Sequence, residues 1–394
     1  MTQIINKFSV ISLMALFFGL LPLRLMAQEA AQGPDIHQLL SKGINFDHVF
    51  SPYQGEGDPN LTFGEKERAE MEKALQESQF KQLAELGVTH IRLNLGRAFI
   101  QEKQEPYHLR PEGLVLLDKA VDYALKNGLG IIIDMHQIPP PQLIKDKKAM
   151  DAFREMWKEL AAHYTKKSSK IIFELLNEPV QEGLVDTVQS KESDWEKWRN
   201  VVKDLVNTIH GEDSGRYVII TGAGWGGVDG LMRMGNLHLS RVVYTFHDYN
   251  PMFFTHQGAT WSDKVLAMLR NIHYPIVPDE VKKWAKKAEE QHFDDWPFKE
   301  VANGYDKESM RKDIKAVADF GKREGILLYC GEFGVHKPYA PPESRARWIS
   351  DFVSVLNENN IAWSMWCYHS GFDLVDEKGK PDMAIVKALG LKGK

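Results

Sequence analysis

Cysteine is scarce in this sequence: Cys330 and Cys367 are the only two among 394 residues. Both lie in predicted strands, where Cys330 has the parity of Glu332 and Cys367 has the opposite parity to Trp366. Because side chains alternate between the two faces of a strand, the two thiols point in different directions if Glu332 and Trp366 face one site. We therefore expect no disulfide, even in an oxidising compartment.

Basic clusters are also lacking. The formal net charge is -5, and the basic residues are scattered without a stripe that could follow a phosphate backbone. We therefore expect no nucleic-acid partner. The remaining composition, with 43% hydrophobic and 26% charged residues, is that of a soluble globular protein.

The N-terminal segment contains an apolar run that predicts export. Lys7 precedes the 16 residues 8–23, and Leu25-Met26-Ala27 ends in the small residue that signal peptidases accept. A membrane anchor is the alternative, but the run is shorter than the ~20 residues that span a bilayer, and a polar stretch follows it. No cysteine follows the run closely enough to carry a lipid. We predict a signal peptide over residues 1–27, a soluble catalytic domain over 28–394 without stable membrane association, and a secreted or periplasmic location.

The sequence also lacks a Ser/Gly-rich or Pro/Thr-rich linker, and it has no internal repeat beyond a strand followed by a helix. Eight short apolar runs predict strands at residues 43–46, 90–94, 131–136, 171–177, 217–222, 241–247, 326–333 and 361–366. Apolar periodicity predicts helices at 70–86, 114–126, 149–164, 195–209, 307–323 and 344–358. Eight such units in about 350 residues predict an α/β fold, a single-domain (β/α)8 TIM barrel.

A doubly wound sheet is the alternative fold. Gly222, Gly224 and Gly227 form a GxGxxG pattern directly after a predicted strand, but no acidic residue near position 242 could hold a ribose hydroxyl. A tight turn between strand and helix is the better interpretation. The long insertion at 251–306 is rich in aromatic residues, which predicts either a loop that lines the site or a small core of its own.

Polar residues end six of the predicted strands, at the end where barrels of this kind carry their active sites. A single buried His or Arg is usually a satisfied structural group, but the same pattern on six strands predicts a site. Two of these residues, Glu178 and Glu332, are the pair of carboxylates that glycosidic-bond hydrolysis needs. The full set is Arg92 and Asn94, Asp134 and His136, Asn177 and Glu178, His247 and Tyr249, Glu332, and Trp366.

These residues resemble the pattern of glycoside hydrolase family 5, of the retaining clan of (β/α)8 enzymes. The matching elements, in order, are Arg92, His136, Asn177-Glu178-Pro179, His247-Asp248-Tyr249, Gly331-Glu332-Phe333-Gly334 and Trp366. The resemblance runs from about Lys42 to about Leu391. It implies that Glu178 is the general acid/base and Glu332 the nucleophile, and that no cofactor is needed. The supporting residues that it implies are Arg92 and Tyr249 beside the nucleophile, Asn177 at the sugar 2-hydroxyl, His136 and His247 beside the sugar and Glu178, and Trp366 beneath the sugar.

Three further residues are candidate contacts for more distant sugars: Trp225 after strand five, Trp261 in the stretch FTHQGAxW, and His48 after strand one. Loop packing is the alternative for the tryptophans. The stretch that contains Trp261 resembles motifs in cellulase-type members of the family, which favours β-1,4-glucan as the substrate.

A metal site is a weaker interpretation of the same region. His247, Asp248 and His256 carry suitable ligand atoms, but their spacing lacks the helical His-x-x-x-His pattern. We therefore expect no metal ion.

The sequence thus predicts a retaining glycoside hydrolase that cleaves β-1,4-glucan internally, an endo-β-1,4-glucanase. We expect it to act as a monomer on a β-glucan polysaccharide or oligosaccharide. A β-mannanase, a xyloglucanase or a β-1,3-glucanase stays open, because the residues around the cleaved bond would be shared. The alternative of another class is a carbohydrate-binding or polysaccharide-assembly protein that has lost turnover, although a pure binder has no use for the carboxylate pair.

Overall fold

The computed structural model describes residues 35–50, 63–136, 142–179 and 192–393. The predicted signal peptide, residues 1–27, lies outside the described residues, so the domain boundary stays a prediction. Within these ranges no helix is both long and apolar enough to cross a membrane.

Eight parallel strands pair in sequence order and close into a barrel, with β1 beside β8. This confirms the predicted (β/α)8 fold. The fourth strand ends at Glu174 rather than at residue 177, so Asn177 and Glu178 lie in the loop that follows it. The strands are β1 Gly43–Phe46, β2 His90–Leu95, β3 Gly130–Met135, β4 Ile171–Glu174, β5 Val218–Thr221, β6 Val242–His247, β7 Leu328–Glu332 and β8 Ala362–Met365.

Helices surround the barrel. The predicted helices are present, and each extends beyond its predicted range at one or both ends. The exception is the helix predicted at 70–86, which is two helices, because Leu75 is extended and the Gln79 side chain caps the backbone N–H of Gln76 at 3.0 Å. The helices are Ile36–Leu39, Glu65–Ala74, Glu77–Glu85, Arg97–Ile100, Pro111–Lys126, Lys147–Tyr164, Glu192–Glu212, Val228–Met234, Met252–Thr255, Lys264–Met268, Pro278–Glu290, Trp296–Lys299, Lys307–Glu324, Pro342–Glu358 and Met383–Ala388.

The barrel strands bury both of their faces, and the two faces differ in chemistry. Outward residues such as Ile91, Ile131 and Ile171 pack in the large apolar cluster that also contains the surrounding helices. The inward residues form an apolar lower layer of Ile132, Ile172, Ile219, Val243 and Tyr329, which packs with Leu39 and Leu40 from before β1. The layer above it is polar and fully buried, and it consists of Asn45, Arg92, Asp134, Glu174, Thr245 and Ser364.

Most aromatic residues of the insertion at 251–306 pack into the main apolar cluster rather than into a separate core. Phe253, Phe254 and Tyr274 are buried in the main apolar cluster, and Trp284 packs against it. Trp261 is different, because 60% of its surface is exposed. The insertion therefore offers one large aromatic face to a ligand.

Both cysteines are buried and free. The alternation that we assumed for Cys330 is wrong: its side chain packs in the outer apolar cluster, whereas Glu332 points into the barrel mouth. The register between β6 and β7 shifts between Phe246 and His247, so that Cys330 pairs with Phe246 and Glu332 with His247. This irregularity breaks the simple alternation at the end of β7.

The glycine pattern after β5 is a tight turn, as predicted. A Cβ at Gly222 would lie 2.2 Å from the carbonyl carbon of Gly230, so the turn packs directly on the following helix. Gly224 has a φ of 80°, which glycine adopts at no steric cost. Gly227 is the N-cap of the helix Val228–Met234.

This packing predicts that the two ends of the glycine pattern respond differently to substitution. Gly222→Ala should lower the free energy of unfolding by about 1–3 kcal/mol, because the added methyl group meets backbone that cannot move aside. Gly227→Ser should leave stability unchanged or slightly raised, since a Cβ there meets only the Gly224 carbonyl oxygen at 3.6 Å and serine is a favoured N-cap. Denaturant unfolding of both variants is the measurement, and equal losses would contradict the turn geometry.

Candidate active site

The polar residues that end six strands do meet at one end of the barrel. A ligand-type atom from each of Glu178, His247 and Glu332 lies within 4.8 Å of the other two. The His247 Nδ1 atom is between the carboxylates, 2.8 Å from Glu178 Oε1 and 3.7 Å from Glu332 Oε2. The two glutamates that the sequence singled out are therefore neighbours across the barrel mouth.

Arg92 is the centre of the buried polar layer. Its guanidinium binds Glu174 through Nε and Nη2, both at 2.8 Å, Glu332 Oε1 through Nη1 at 2.7 Å, and Asp134 Oδ2 through Nη2 at 3.1 Å. Burial alone would lower the pKa of Arg92, but Asp134 and Glu174 raise it well above its usual range. One permanent cation thus faces three carboxylates, of which Asp134 and Glu174 have no exposed surface and the Glu332 side chain is 6% exposed.

Two amide side chains complete the shell around this cation. Arg92 donates to Asn45 Oδ1 through Nη1 at 2.8 Å and to Asn177 Oδ1 through Nη2 at 2.9 Å. Asn45 in turn donates to the Gly331 carbonyl oxygen at 2.9 Å, directly before Glu332. The guanidinium therefore links β1, β2, β3, β7, the last residue of β4 and the loop that follows β4.

Glu332 receives a second donor on its other oxygen. The Tyr249 hydroxyl donates to Glu332 Oε2 at 2.9 Å. Burial and the nearby Glu332 raise the pKa of Tyr249 well above its usual range, so the phenol keeps its proton. Each oxygen of Glu332 thus accepts a hydrogen bond from a group that stays a donor.

Glu178 lies in a different environment. Its carboxylate has no hydrogen bond to Arg92 among the described contacts, and burial raises its pKa to about 7. Its partner His247 has a pKa lowered to about 4 by burial, so the imidazole is neutral near neutral pH. The Glu178 backbone has a φ of 40°, a conformation that non-glycine residues rarely adopt and that concentrates at functional sites.

His136 and Trp366 form the floor beside this pair. Their rings stack with centroids 5.4 Å apart and planes at 18°. His136 Nδ1 lies 2.7 Å from Asp134 Oδ2 and 2.5 Å from Asn94 Nδ2. The polar residues near the ends of β2 and β3 therefore both contact the His136 ring.

The candidate residues for more distant sugars behave differently from one another. Trp225 and Trp261 are 56% and 60% exposed, so each presents an aromatic face to solvent. His48 stacks on Tyr368 with centroids 5.1 Å apart and lies 3.1 Å from Gln79 Nε2. Packing thus accounts for most of the contacts of His48.

Sequence reasoning missed two members of the site, Asn45 and Glu174, and gave Asp134 no role. Each is a polar residue inside an otherwise apolar strand, on the inward face. A polar residue within an apolar run is visible in the sequence, but its contact with Arg92 on another strand is not.

The side-chain groups that could in principle hold a metal ion are also explained by hydrogen bonds. Among the described residues, two groups of His and Glu side chains bring ligand-type atoms within 4.8 Å, the group around Glu178 and the group His108, Glu155 and Glu159. Hydrogen bonds account for both, through His247 to Glu178 at 2.8 Å and His108 to Glu159 at 2.5 Å. The residues Asp248 and His256 lie outside both groups.

The Arg92 network predicts an unusually large cost for one substitution. Arg92→Met should lower the free energy of unfolding by about 3–5 kcal/mol, because it leaves buried carboxylates without their cation. Arg311→Met is the matched control, since Arg311 also contacts two carboxylates, Glu308 and Glu358, but on the solvated surface where such pairs contribute little. Denaturant unfolding compares the two, and similar losses would contradict the role of burial.

Comparison with known proteins identifies relatives in sequence. The chain is 31% identical to Endoglucanase C of Acetivibrio thermocellus over 315 residues, which cover 77% of this chain and 87% of that protein. It is 26% identical to Cellodextrinase A of Ruminococcus flavefaciens over 305 residues, which cover 75% of this chain and 79% of that protein.

Solved structures share the fold. Endoglucanase Cel5A from the hyperthermophilic Thermotoga maritima matches with a TM-score of 0.69 at 23% identity, over 90% of this chain and 98% of that one. The cellulose synthase subunit Z of Clostridioides difficile matches with a TM-score of 0.67 at 21% identity, over 89% and 99%. The family model for cellulase (glycosyl hydrolase family 5) matches residues 56–371. The chain therefore belongs to glycosyl hydrolase family 5, and it is a glycoside hydrolase.

Proposed function

We propose that the protein is a retaining endo-β-1,4-glucanase in which Glu332 is the nucleophile and Glu178 the general acid/base. The observation that carries the proposal is the closeness of the two carboxylates, with an oxygen of each within 4.8 Å. Retaining glycosidases hold their carboxyl groups about 5–5.5 Å apart, whereas inverting enzymes leave about 6.5–9.5 Å for a water molecule. The spacing supports direct attack by a carboxylate.

The surroundings of Glu332 suit a nucleophile. Arg92 and the Tyr249 hydroxyl each donate to one of its oxygens, at 2.7 and 2.9 Å. These two contacts fix the orientation of both carboxylate oxygens at the barrel mouth. Glu332 would attack the anomeric carbon as the bond to the leaving oxygen breaks, forming a glycosyl ester.

The surroundings of Glu178 suit an acid that later becomes a base. With a pKa near 7 it can hold the proton that the leaving oxygen takes up. The resulting carboxylate would then remove a proton from water, the oxygen of that water would attack the anomeric carbon, and the ester to Glu332 would break. His247, 2.8 Å away, would orient the carboxyl through both steps.

Asn177, His136 and Trp366 would position the sugar at the cleaved bond. Asn177 is held by Arg92, and we assign it to the sugar 2-hydroxyl, a contact that strengthens in the transition state. His136 and Trp366 would be the floor of this subsite. The exposed rings of Trp225 and Trp261 would stack on more distant sugars, and His48 would contribute at the edge at most.

The named relatives support β-1,4-glucan as the substrate. The sequence relatives are an endoglucanase and a cellodextrinase, and the chain covers most of each. A β-mannanase, xyloglucanase or β-1,3-glucanase would use the same two carboxylates. We propose that the enzyme acts as an exported monomer, secreted or periplasmic, without stable membrane association.

The raised pKa of Glu178 predicts how kcat/KM falls on the alkaline side of the pH profile. Glu178 is protonated below its pKa and ionised above it, so kcat/KM should fall as the pH rises through about 7. The measurement is kcat/KM on a soluble cello-oligosaccharide across pH. In Glu178→Gln the residual activity should lack this fall, and a fall that persists would assign it to another group.

Substitutions of the two glutamates should impair catalysis in distinguishable ways. Glu178→Gln should lower kcat on polysaccharide about 10²–10⁴-fold by removing general acid catalysis, yet still form the ester from a substrate with an activated aryl leaving group. Glu332→Gly should form no ester, and added azide should yield an α-glycosyl azide. In the wild-type protein, ¹H NMR should detect the β-anomer first. An α-anomer as the first product would mean inversion and overturn the proposed mechanism.

Release of reducing ends tests the substrate. We expect turnover on carboxymethyl-cellulose and mixed-linkage glucan that falls about 10²–10⁴-fold in Glu178→Gln and vanishes in Glu332→Gln. Xyloglucan, glucomannan, galactomannan and laminarin complete the comparison, and preference for one of them would keep the mechanism and replace the substrate. Binding without turnover on all of them would support a carbohydrate-binding or assembly protein instead.

A further inference from the structure

Asp134 takes no part in the chemistry proposed above, although it contacts two residues that do. It ends β3 inside the barrel with no exposed surface. One oxygen, Oδ2, lies 2.7 Å from His136 Nδ1 and 3.1 Å from Arg92 Nη2. The other oxygen is buried without a hydrogen-bond partner among the described residues. All of its polar contacts are thus concentrated on one atom.

The identity of these neighbours restricts where hydrogens can be. Both hydrogens of Arg92 Nη2 are donated to Glu174 and Asn177, so its contact with Oδ2 at 3.1 Å is an ion pair rather than a hydrogen bond. The positive charge at 3.1 Å favours the ionised carboxylate, and an ionised oxygen can only accept from His136. The histidine must then carry its hydrogen on Nδ1.

His136 is a neutral imidazole, because burial lowers its pKa to about 4. A neutral imidazole has one N–H and one lone pair, so a hydrogen on Nδ1 makes Nε2 an acceptor. The two ring nitrogens point in diverging directions. Since Nδ1 faces the buried Asp134, Nε2 faces away from that carboxylate, on a ring that stacks with Trp366 in the floor of the site.

Asn94 can accommodate this arrangement. Its Nδ2 lies 2.5 Å from His136 Nδ1, while its Oδ1 is buried without a partner among the described residues. Oxygen and nitrogen of an amide exchange places by a half-turn with almost no change in shape. After that half-turn, Asn94 Oδ1 is a second acceptor for the hydrogen on Nδ1, and the present contact from Asn94 Nδ2 to Asp134 Oδ2 at 3.4 Å is lost.

We propose that Asp134 is a positioning residue that holds His136 in the Nδ1–H tautomer, so that Nε2 accepts a hydrogen bond from a hydroxyl group of the sugar at the cleaved bond. The sugar contact rests on the proposed function, whereas the tautomer is a property of the protein alone. The other arrangement is a protonated Asp134 that donates to Nδ1, which burial favours by raising the pKa of Asp134 to about 7. That arrangement would make Nε2 a donor.

Nitrogen NMR on the protein labelled with ¹⁵N-histidine distinguishes the two arrangements without substrate. His136→Gln identifies the signals of His136. In the wild type we expect Nδ1 to carry the hydrogen and Nε2 to be unprotonated, and a hydrogen on Nε2 would overturn the proposal. This experiment does not depend on turnover, so its failure is distinct from failure of the proposed function.

Three variants test the role of Asp134 itself. Asp134→Asn should keep the tautomer, because the Arg92 cation at the Oδ2 position favours the amide oxygen there over the amide N–H groups. Asp134→Ala should lose the tautomer preference. Glu174→Gln is the matched control, since it alters another carboxylate partner of Arg92 without a hydrogen bond to His136, and its His136 signals should not change. Loss of the tautomer in Glu174→Gln would assign the effect to Arg92 and overturn the proposal.

Kinetics then test the sugar contact. Asp134→Ala should lower kcat/KM about tenfold, the effect of one hydrogen bond, and Asp134→Asn should retain most of the wild-type value. Thermal unfolding of each variant shows whether it is folded. If Asp134→Ala does not fold, the wild-type tautomer and Asp134→Asn still decide the question. Wild-type kcat/KM in a folded Asp134→Ala that has lost the tautomer would overturn the sugar contact.

Discussion

The contact between the Arg92 guanidinium and three carboxylates is the interaction on which the rest of the site depends. Asp134, Glu174 and Glu332 approach it from β3, β4 and β7, and none of them could remain buried and charged without it. A buried ionic network is stable only when all its members are satisfied, since an unpaired charge inside the protein costs far more than a paired one contributes. The layer that carries the chemistry is therefore also a layer that fixes the strands relative to one another.

The same network explains how two glutamates at one barrel mouth come to differ. The hydrogen bonds of Arg92 reach Glu332 but not Glu178, whose partner is the neutral His247. Burial then acts on Glu178 with little opposition and raises its pKa to about 7. Separate environments for two nearby carboxyl groups are what divides the tasks of nucleophile and acid. In the mechanism that we propose, this division follows from the position of a single cation.

The fold and the closeness of Glu178 and Glu332 could be predicted from the sequence because both leave local signals. Apolar runs that end in polar residues located the strands, and the order of those residues matched a family pattern. Asn45 and Glu174 were missed because their importance arises only when distant strands close the barrel around Arg92. The assumed orientation of Cys330 failed because the register shift after Phe246 depends on pairing between strands. Contacts between distant strands leave no periodic pattern of residues in the sequence.

The separation between a buried site and exposed aromatic residues has a consequence for specificity. Glu332 is held by groups that cannot change without leaving a charge unpaired, so the machinery around the cleaved bond is constrained by stability as well as by catalysis. Trp225 and Trp261 are more than half exposed and make no described contact with Arg92 or its carboxylates. Substitutions at sites without shared partners act almost independently. On the proposed function, the preference for one glucan over another would therefore change at the rim while the polar layer beneath it stays the same.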